Sequence, residues 1–258
     1  MAKANRAAPL RFRDEVRDFL RFARRPRLAP RLPGRAAVNG WSADWFPSVS
    51  IGRLLKWACL LWAVNLVFLG PIAVSAAGAG GAQHRFDLQN IPWLQALLWA
   101  PVVEELVFRY GLRHIGQALW LVPASIVALV AGPNWATITL VALVLLLCWL
   151  PHLRKSGSGS RQPLAWHYRE IYARSFPWVF HTVSLSFAAV HLNNFSLNQM
   201  PYWLMPLLVL PQWLTGLVLG WLRVKRGIGA AMLLHGLFNG GPLLVVWLVL
   251  STMGELPT

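Results

Sequence analysis

Trp99-Ala100-Pro101-Val102-Val103-Glu104-Glu105-Leu106-Val107-Phe108-Arg109 sets two adjacent carboxylates and a guanidinium in a stretch apolar enough to lie inside a bilayer. Glu104 and Glu105 are the only acidic residues in any of the chain's long apolar segments. An ionisable side chain at bilayer depth costs about 2.5–3.5 kcal/mol on insertion scales, so it usually faces a protein interior and has a function. Helical geometry divides the pair. Glu105 and Arg109 are four residues apart, share a face, and stand in the favourable Glu-before-Arg order for an ion pair. Glu104 is turned by about 100° from Glu105 and is free to point into a cavity. Glu105 and Arg109 therefore read as structural or orienting residues, and Glu104 as the reactive candidate. The bland alternative is that both glutamates serve helix packing alone.

The surrounding composition supports a membrane setting. Of 258 residues, 56% are apolar, 15 are Trp and only 13% are charged, where a soluble domain carries about 25% charged residues. Seven stretches, at 51–77, 91–112, 115–131, 133–151, 173–193, 200–222 and 228–251, are long and apolar enough to span a bilayer. The expected fold class is all-α, a polytopic transmembrane helix bundle of about seven spans. With that alternation, all of the 24 Lys and Arg except Arg85 fall on one side, which assigns the N-terminus to the cytoplasm. Residues 1–50 form a basic cytoplasmic arm, and residues 51–258 the transmembrane domain. No cleavable signal peptide is expected, the first span serving as its own insertion signal. Within the arm, Phe12, Val16, Phe19, Leu20 and Ala23 recur at helical spacing among arginines. This predicts an amphipathic helix near 11–24, lying on the anionic leaflet or held as a solvated arm. Cys59 and Cys148 both fall in apolar segments and imply neither a disulfide framework nor a cysteine metal site. The basic charge is read as topology, and no nucleic-acid partner is expected.

Two further stretches carry polar pairs. The last span holds His235-Gly236-Leu237-Phe238-Asn239, with His235 and Asn239 on one face. The fifth holds Phe187-Ala188-Ala189-Val190-His191, followed by Asn193 and Asn194. Counted from the cytoplasmic ends, Glu104 lies roughly 13 Å deep and His235 roughly 12 Å, whereas His191 comes out roughly 21 Å deep. His181 reads as a packed core histidine, and His84, His114, His152 and His167 as loop or interface residues.

Glu104-Glu105-x-x-x-Arg109, Phe187-x-x-x-His191 and His235-x-x-x-Asn239, in that order on separate apolar stretches, resemble the CPBP family of type II CAAX prenyl endopeptidases and Abi proteins. The similarity covers roughly residues 91–245. It implies an intramembrane endopeptidase of the glutamate type, hydrolysing a peptide bond of a membrane-associated protein or peptide. The residue matching Glu104, with that matching His191, would activate a water, and those matching His235 and Asn239 would hold the oxyanion. A carboxylate in a low-dielectric cavity suits a general base, and one oxyanion donor is worth about 2.7–4 kcal/mol. The chain departs from the eukaryotic prenyl-protein proteases in having seven spans where eight are usual, so their prenylated substrates are not carried over. No cofactor is expected. A zinc version with Glu104, His191 and His235 as ligands is chemically acceptable, but it lacks a His-Glu-x-x-His helix and leaves Asn239 without a role. A different class, a non-catalytic scaffold, immunity factor or proton-coupled carrier, would use the acidic pair for binding or proton movement. The arginine-rich composition leans towards a bacterial plasma membrane.

Overall fold

The computed structural model describes residues 10–28, 32, 42–46, 49–85, 91–153, 166–197 and 200–253. In chain order its helices are α1 (Phe12–Arg24), α2 (Ser42–Trp45), α3 (Ile51–Val64), α4 (Gly70–Gly80), α5 (Ala100–Phe108), α6 (Ile115–Ala131), α7 (Trp135–Leu153), α8 (Trp166–Val190), α9 (Met205–Leu208), α10 (Leu210–Arg226) and α11 (Ile228–Met253). Each of the seven expected apolar stretches is helical. Of the polar loop expected to begin at His152, His152 and Leu153 belong to the end of α7, and residues 154–160 lie outside the described residues.

Two π turns, Asn65–Leu69 and Gln95–Trp99, join α3 to α4 and lead into α5. Each is followed by proline at the second position of the next helix, Pro71 and Pro101. Proline has no N–H to offer the carbonyl one turn back. The ladder shifts register instead, with Gly70 N–H reaching the Asn65 carbonyl and Ala100 N–H reaching Gln95. Pro101 therefore leaves the Ala96 carbonyl without a π-register donor, a vacancy that matters at the site below.

α3, its π turn and α4 form one 30-residue helix, Ile51–Gly80, and α11 spans 26 residues; both are long and apolar enough to cross a membrane. Only 11% of the apolar window of each is buried, the reverse of a soluble core helix. Leu66, Val130 and Trp135 are more than three-quarters exposed. Large apolar surfaces turned outwards are those of a helix assembly solvated by lipid. The interior is built around α10, buried continuously from Thr215 to Arg226 and packed against α8, α11 and α1.

Three expectations are corrected. First, the chain is not purely helical: β1 (Gln83–His84) pairs antiparallel with β2 (Phe195–Ser196), and Arg85 N–H donates to the Asn194 carbonyl beside them. The ribbon forms because α4 and α8 end at the same edge of the assembly, where two short extended segments satisfy each other's backbone. Second, α8 starts at Trp166, earlier than the apolar pattern indicates, because its first turns are polar. Third, the apolar face of α1 is spent on protein and not on a leaflet. Phe19 packs edge-on to Trp57 and Trp221, and Phe22 to Phe180. Glu15, buried within α1, pairs with Arg226 and accepts from Trp57 Nε1 at 3.3 Å, while Leu20 is exposed.

Candidate active site

Glu105 and Arg109 pair as their spacing requires, Nη1 to Oε1 at 2.9 Å, with both side chains fully out of solvent. The Arg109 guanidinium also lies 3.7 Å above the Phe187 ring, which fixes α5 against α8 by a cation–π contact. The Phe187 ring in turn stands 4.7 Å from that of His191 and 5.7 Å from that of His235. One aromatic side chain thus touches the residues of all three motifs.

His235 lies between the two carboxylates. Its Nδ1 is 3.0 Å from Glu105 Oε1, and its Nε2 is 3.7 Å from Glu104 Oε2. Glu105 Oε1 already accepts from Arg109, so it acts as an ionised acceptor and His235 donates from Nδ1. His191 is oriented by the chain itself. Its Nδ1 is 2.7 Å from the Phe187 carbonyl, and a carbonyl only accepts, so Nδ1 carries the proton and Nε2 keeps its lone pair. Asn239 Nδ2 donates to the Ala96 carbonyl at 3.1 Å. This is the oxygen that Pro101 leaves unpaired, so one amide proton of Asn239 repairs the π turn and the other remains available. A Cβ at Gly236 would sit 3.0 Å from the Leu97 carbonyl oxygen, so glycine there lets α11 approach this turn closely.

Glu104, His191, His235 and Asn239 all line one cavity of about 940 Å³. Its size suits a ligand site. His191 was expected to lie well away from Glu104 in depth. Instead α8 stops at Val190, His191 opens a 3-10 turn, and the cavity runs along the helices, so one wall accommodates both. Several polar groups on that wall were not singled out from the sequence: Gln95, Gln212 and Thr215, with His84 and Arg85 at the ribbon. Gln212 and Thr215, three apart in the otherwise apolar first half of α10, were the readable signal; His84 was read as a bystander because its strand pairing is long-range. His181 keeps its packing role, stacked edge-on to Phe180.

Several buried polar atoms here have no hydrogen-bond partner: Glu104 Oε2, Glu105 Oε2, Arg109 Nη2 and Gln212 Oε1. No group of three or more His, Cys, Asp or Glu is arranged to hold a metal ion among the described residues.

An apolar, outward-facing helix assembly enclosing carboxylates, imidazoles and an amide around one cavity defines a helical membrane protein with an enclosed polar site. The family model of type II CAAX prenyl endopeptidase Rce1-like proteins matches residues 163–241. The CPBP resemblance carried by the motifs stands, and at the family level it is that of a membrane CAAX-type endopeptidase. The matched stretch holds Phe187, His191, His235 and Asn239 and does not reach Glu104. No curated protein and no solved structure matches the chain.

Proposed function

We propose that the protein is an intramembrane endopeptidase of the glutamate type, in which Glu104 and His191 activate a water and His235 and Asn239 hold the oxyanion. The carrying observation is that these four side chains, from three separate helical segments, line a single cavity. Water held between Glu104 and the Nε2 lone pair of His191 gives up a proton as its oxygen attacks the peptide carbonyl carbon. The tetrahedral oxyanion then takes hydrogen bonds from His235 Nε2–H and the free amide proton of Asn239. Collapse breaks the C–N bond, and the abstracted proton goes to the leaving amine.

For His235 to donate from both nitrogens it must be the imidazolium. In that state Glu104, Glu105, Arg109 and His235 sum to zero charge, the arrangement a low-dielectric interior favours. Glu105, Arg109 and Phe187 then act as positioning residues: the ion pair aims His235, and the ring separates it from His191. No metal is assigned. The substrate is a membrane-associated protein or peptide.

The accompanying topology is seven spans with a cytoplasmic N-terminus in a bacterial plasma membrane, with a basic arm over 1–50 ahead of the transmembrane domain. It is supported by the grouping of Arg53, Arg113, Lys225 and Arg226 around α1 and the α10–α11 junction, while Arg85 sits at the far end of the Ile51–Gly80 helix. The test compares membrane peptides from cells expressing the native chain, the Glu104→Ala variant or neither. Cleavage products are expected only with the native chain, at equal protein abundance. Products that persist with Glu104→Ala overturn the mechanism.

A further inference from the structure

The cavity is closed at its inner end, in the interior of the helix assembly, and open at a rim beside the ribbon. Of its lining residues, Phe187, Thr215 and His235 are buried, and Glu104 faces His235 beside them. Beneath them the interior is packed shut. Leu106, Leu219 and Leu234 are fully buried, and the Glu105–Arg109 pair and the Arg223 side chain, both inaccessible to solvent, fill the layer below. The rim is formed by His84, Arg85, Asn193 and Asn194, all exposed, with Pro92 beside them. Leu129 and Val130, in the last turn of α6 at this same end, form a side wall, and Val130 faces outwards. Axial and lateral approaches therefore both enter at the ribbon end. Among the described residues, Arg85 is the only basic Lys or Arg lining the cavity.

We infer that the site is entered from the extracytoplasmic face, and that the substrate is an unwound polypeptide segment presented on that side of the membrane. The inference rests on the topology and hydrolytic reading proposed above. Under that topology, the rim is the end that carries Arg85 and none of the other Lys or Arg residues. The lining fits an extended chain. A peptide stripped of helix inside a bilayer needs partners for each exposed N–H and C=O, and the amides of Gln95, Asn193, Asn194, Gln212 and Asn239 line the route from rim to floor. Gln212 Oε1 is buried there without a partner, an acceptor for a substrate N–H after a side-chain rotation. Arg85 is held at the rim by its Nε donating to Ser196 Oγ at 3.2 Å.

The test is sidedness of labelling. Asn193→Cys and, independently, Arg85→Cys are placed in a Cys59→Ser, Cys148→Ala background and exposed to a bulky membrane-impermeant maleimide. Arg21→Cys, on the exposed side of α1, reports the opposite face. Both rim cysteines are expected to label in intact cells, with loss of labelling in sealed inside-out vesicles, and the α1 cysteine the reverse. Rim labelling should also abolish Glu104-dependent products. Rim cysteines that label only from the cytoplasmic side, that disagree with each other, or that label from neither side overturn the inference. Because labelling needs no activity, its outcome is separable from that of Glu104→Ala. External labelling with no Glu104-dependent products sinks the hydrolytic reading alone, and cytoplasmic labelling with such products sinks the access route alone.

Discussion

Arg109 and Arg223 are both buried arginines, joined by a hydrogen bond from the Arg223 side chain to the Arg109 backbone, yet their surroundings differ in kind. Arg223 is saturated: Nε donates to the Arg109 carbonyl at 3.0 Å, Nη1 to Asp44 Oδ2 at 2.6 Å, and Nη2 to the Tyr110 carbonyl at 3.3 Å. Asp44 also meets His114 Nε2 at 3.2 Å. Around Arg109 the set is incomplete, with its own Nη2 and the Oε2 atoms of Glu104 and Glu105 lacking partners. An unsatisfied buried polar group costs about 1–3 kcal/mol, more when charged. One buried charge is thus fully hydrogen-bonded, while the other belongs to a cluster with polar atoms to spare, of which Glu104 alone lines the cavity; on the proposed mechanism that carboxylate is the one that meets the water.

The sharpest way to break this contrast is Glu104→Gln. If the deficit is functional, cleavage falls by about 10²–10⁴-fold, the usual contribution of a general base. The protein should remain folded in detergent, because Gln keeps the size and shape of the side chain, with a modest loss of melting temperature from the charge no longer balanced against His235. Unfolding with no specific loss of chemistry would make Glu104 a structural charge like Arg223.

Arg223→Met tests the other side. Removing the guanidinium takes from the buried Asp44 carboxylate the arginine it pairs with, and breaking a buried pair from one side costs about 3–5 kcal/mol. Folded protein should fall and cleavage should fall with it in proportion, which thermal unfolding and activity per folded molecule measure together. A variant that stays folded but loses kcat would show that Arg223 also acts through the Arg109 backbone on the site.

Much of the Arg109 region was legible in the sequence, and little of the Arg223 region was. The Glu105–Arg109 pair follows from a four-residue spacing on one helix, and the apolar stretches from their length. The motif order supplied the residues that meet across helices. Local periodicity carries no information about partners far apart in the chain, so the burial of Glu15 and Asp44 in an arm read as lying on the leaflet or solvated went unseen, as did the pairing of Gln83–His84 with Phe195–Ser196. The π turn was readable in principle from Pro101, but the carbonyl that Asn239 repairs lies on another segment.

Asn239→Ala separates two jobs assigned to one amide. Loss of an oxyanion donor lowers kcat by about 10²–10³-fold with KM little changed. Loss of the hydrogen bond to the Ala96 carbonyl lowers stability by about 1–3 kcal/mol, since it leaves that oxygen buried and unpaired. Stability loss with an unchanged kcat would leave Asn239 as a strut for the π turn only.

The smallest effect marks where the site ends. Trp62 Nε1 donates to the Phe238 carbonyl at 3.0 Å, next in sequence to Asn239 but on the side of α11 that faces α3. Trp62→Phe keeps an aromatic ring, gives up the part of the indole packed on Gly241, and removes one neutral hydrogen bond, worth about 0.5–1.5 kcal/mol. The expected result is a slightly lower melting temperature with kcat and KM both unchanged. A drop in kcat would mean that the position of α11 is set to within the tolerance of the oxyanion contact, so that a saturated contact at the back of the helix governs the unsaturated groups at its front. In that case the division between a finished structural region and a reserved catalytic one would run through α11 itself, and not between Arg223 and Arg109.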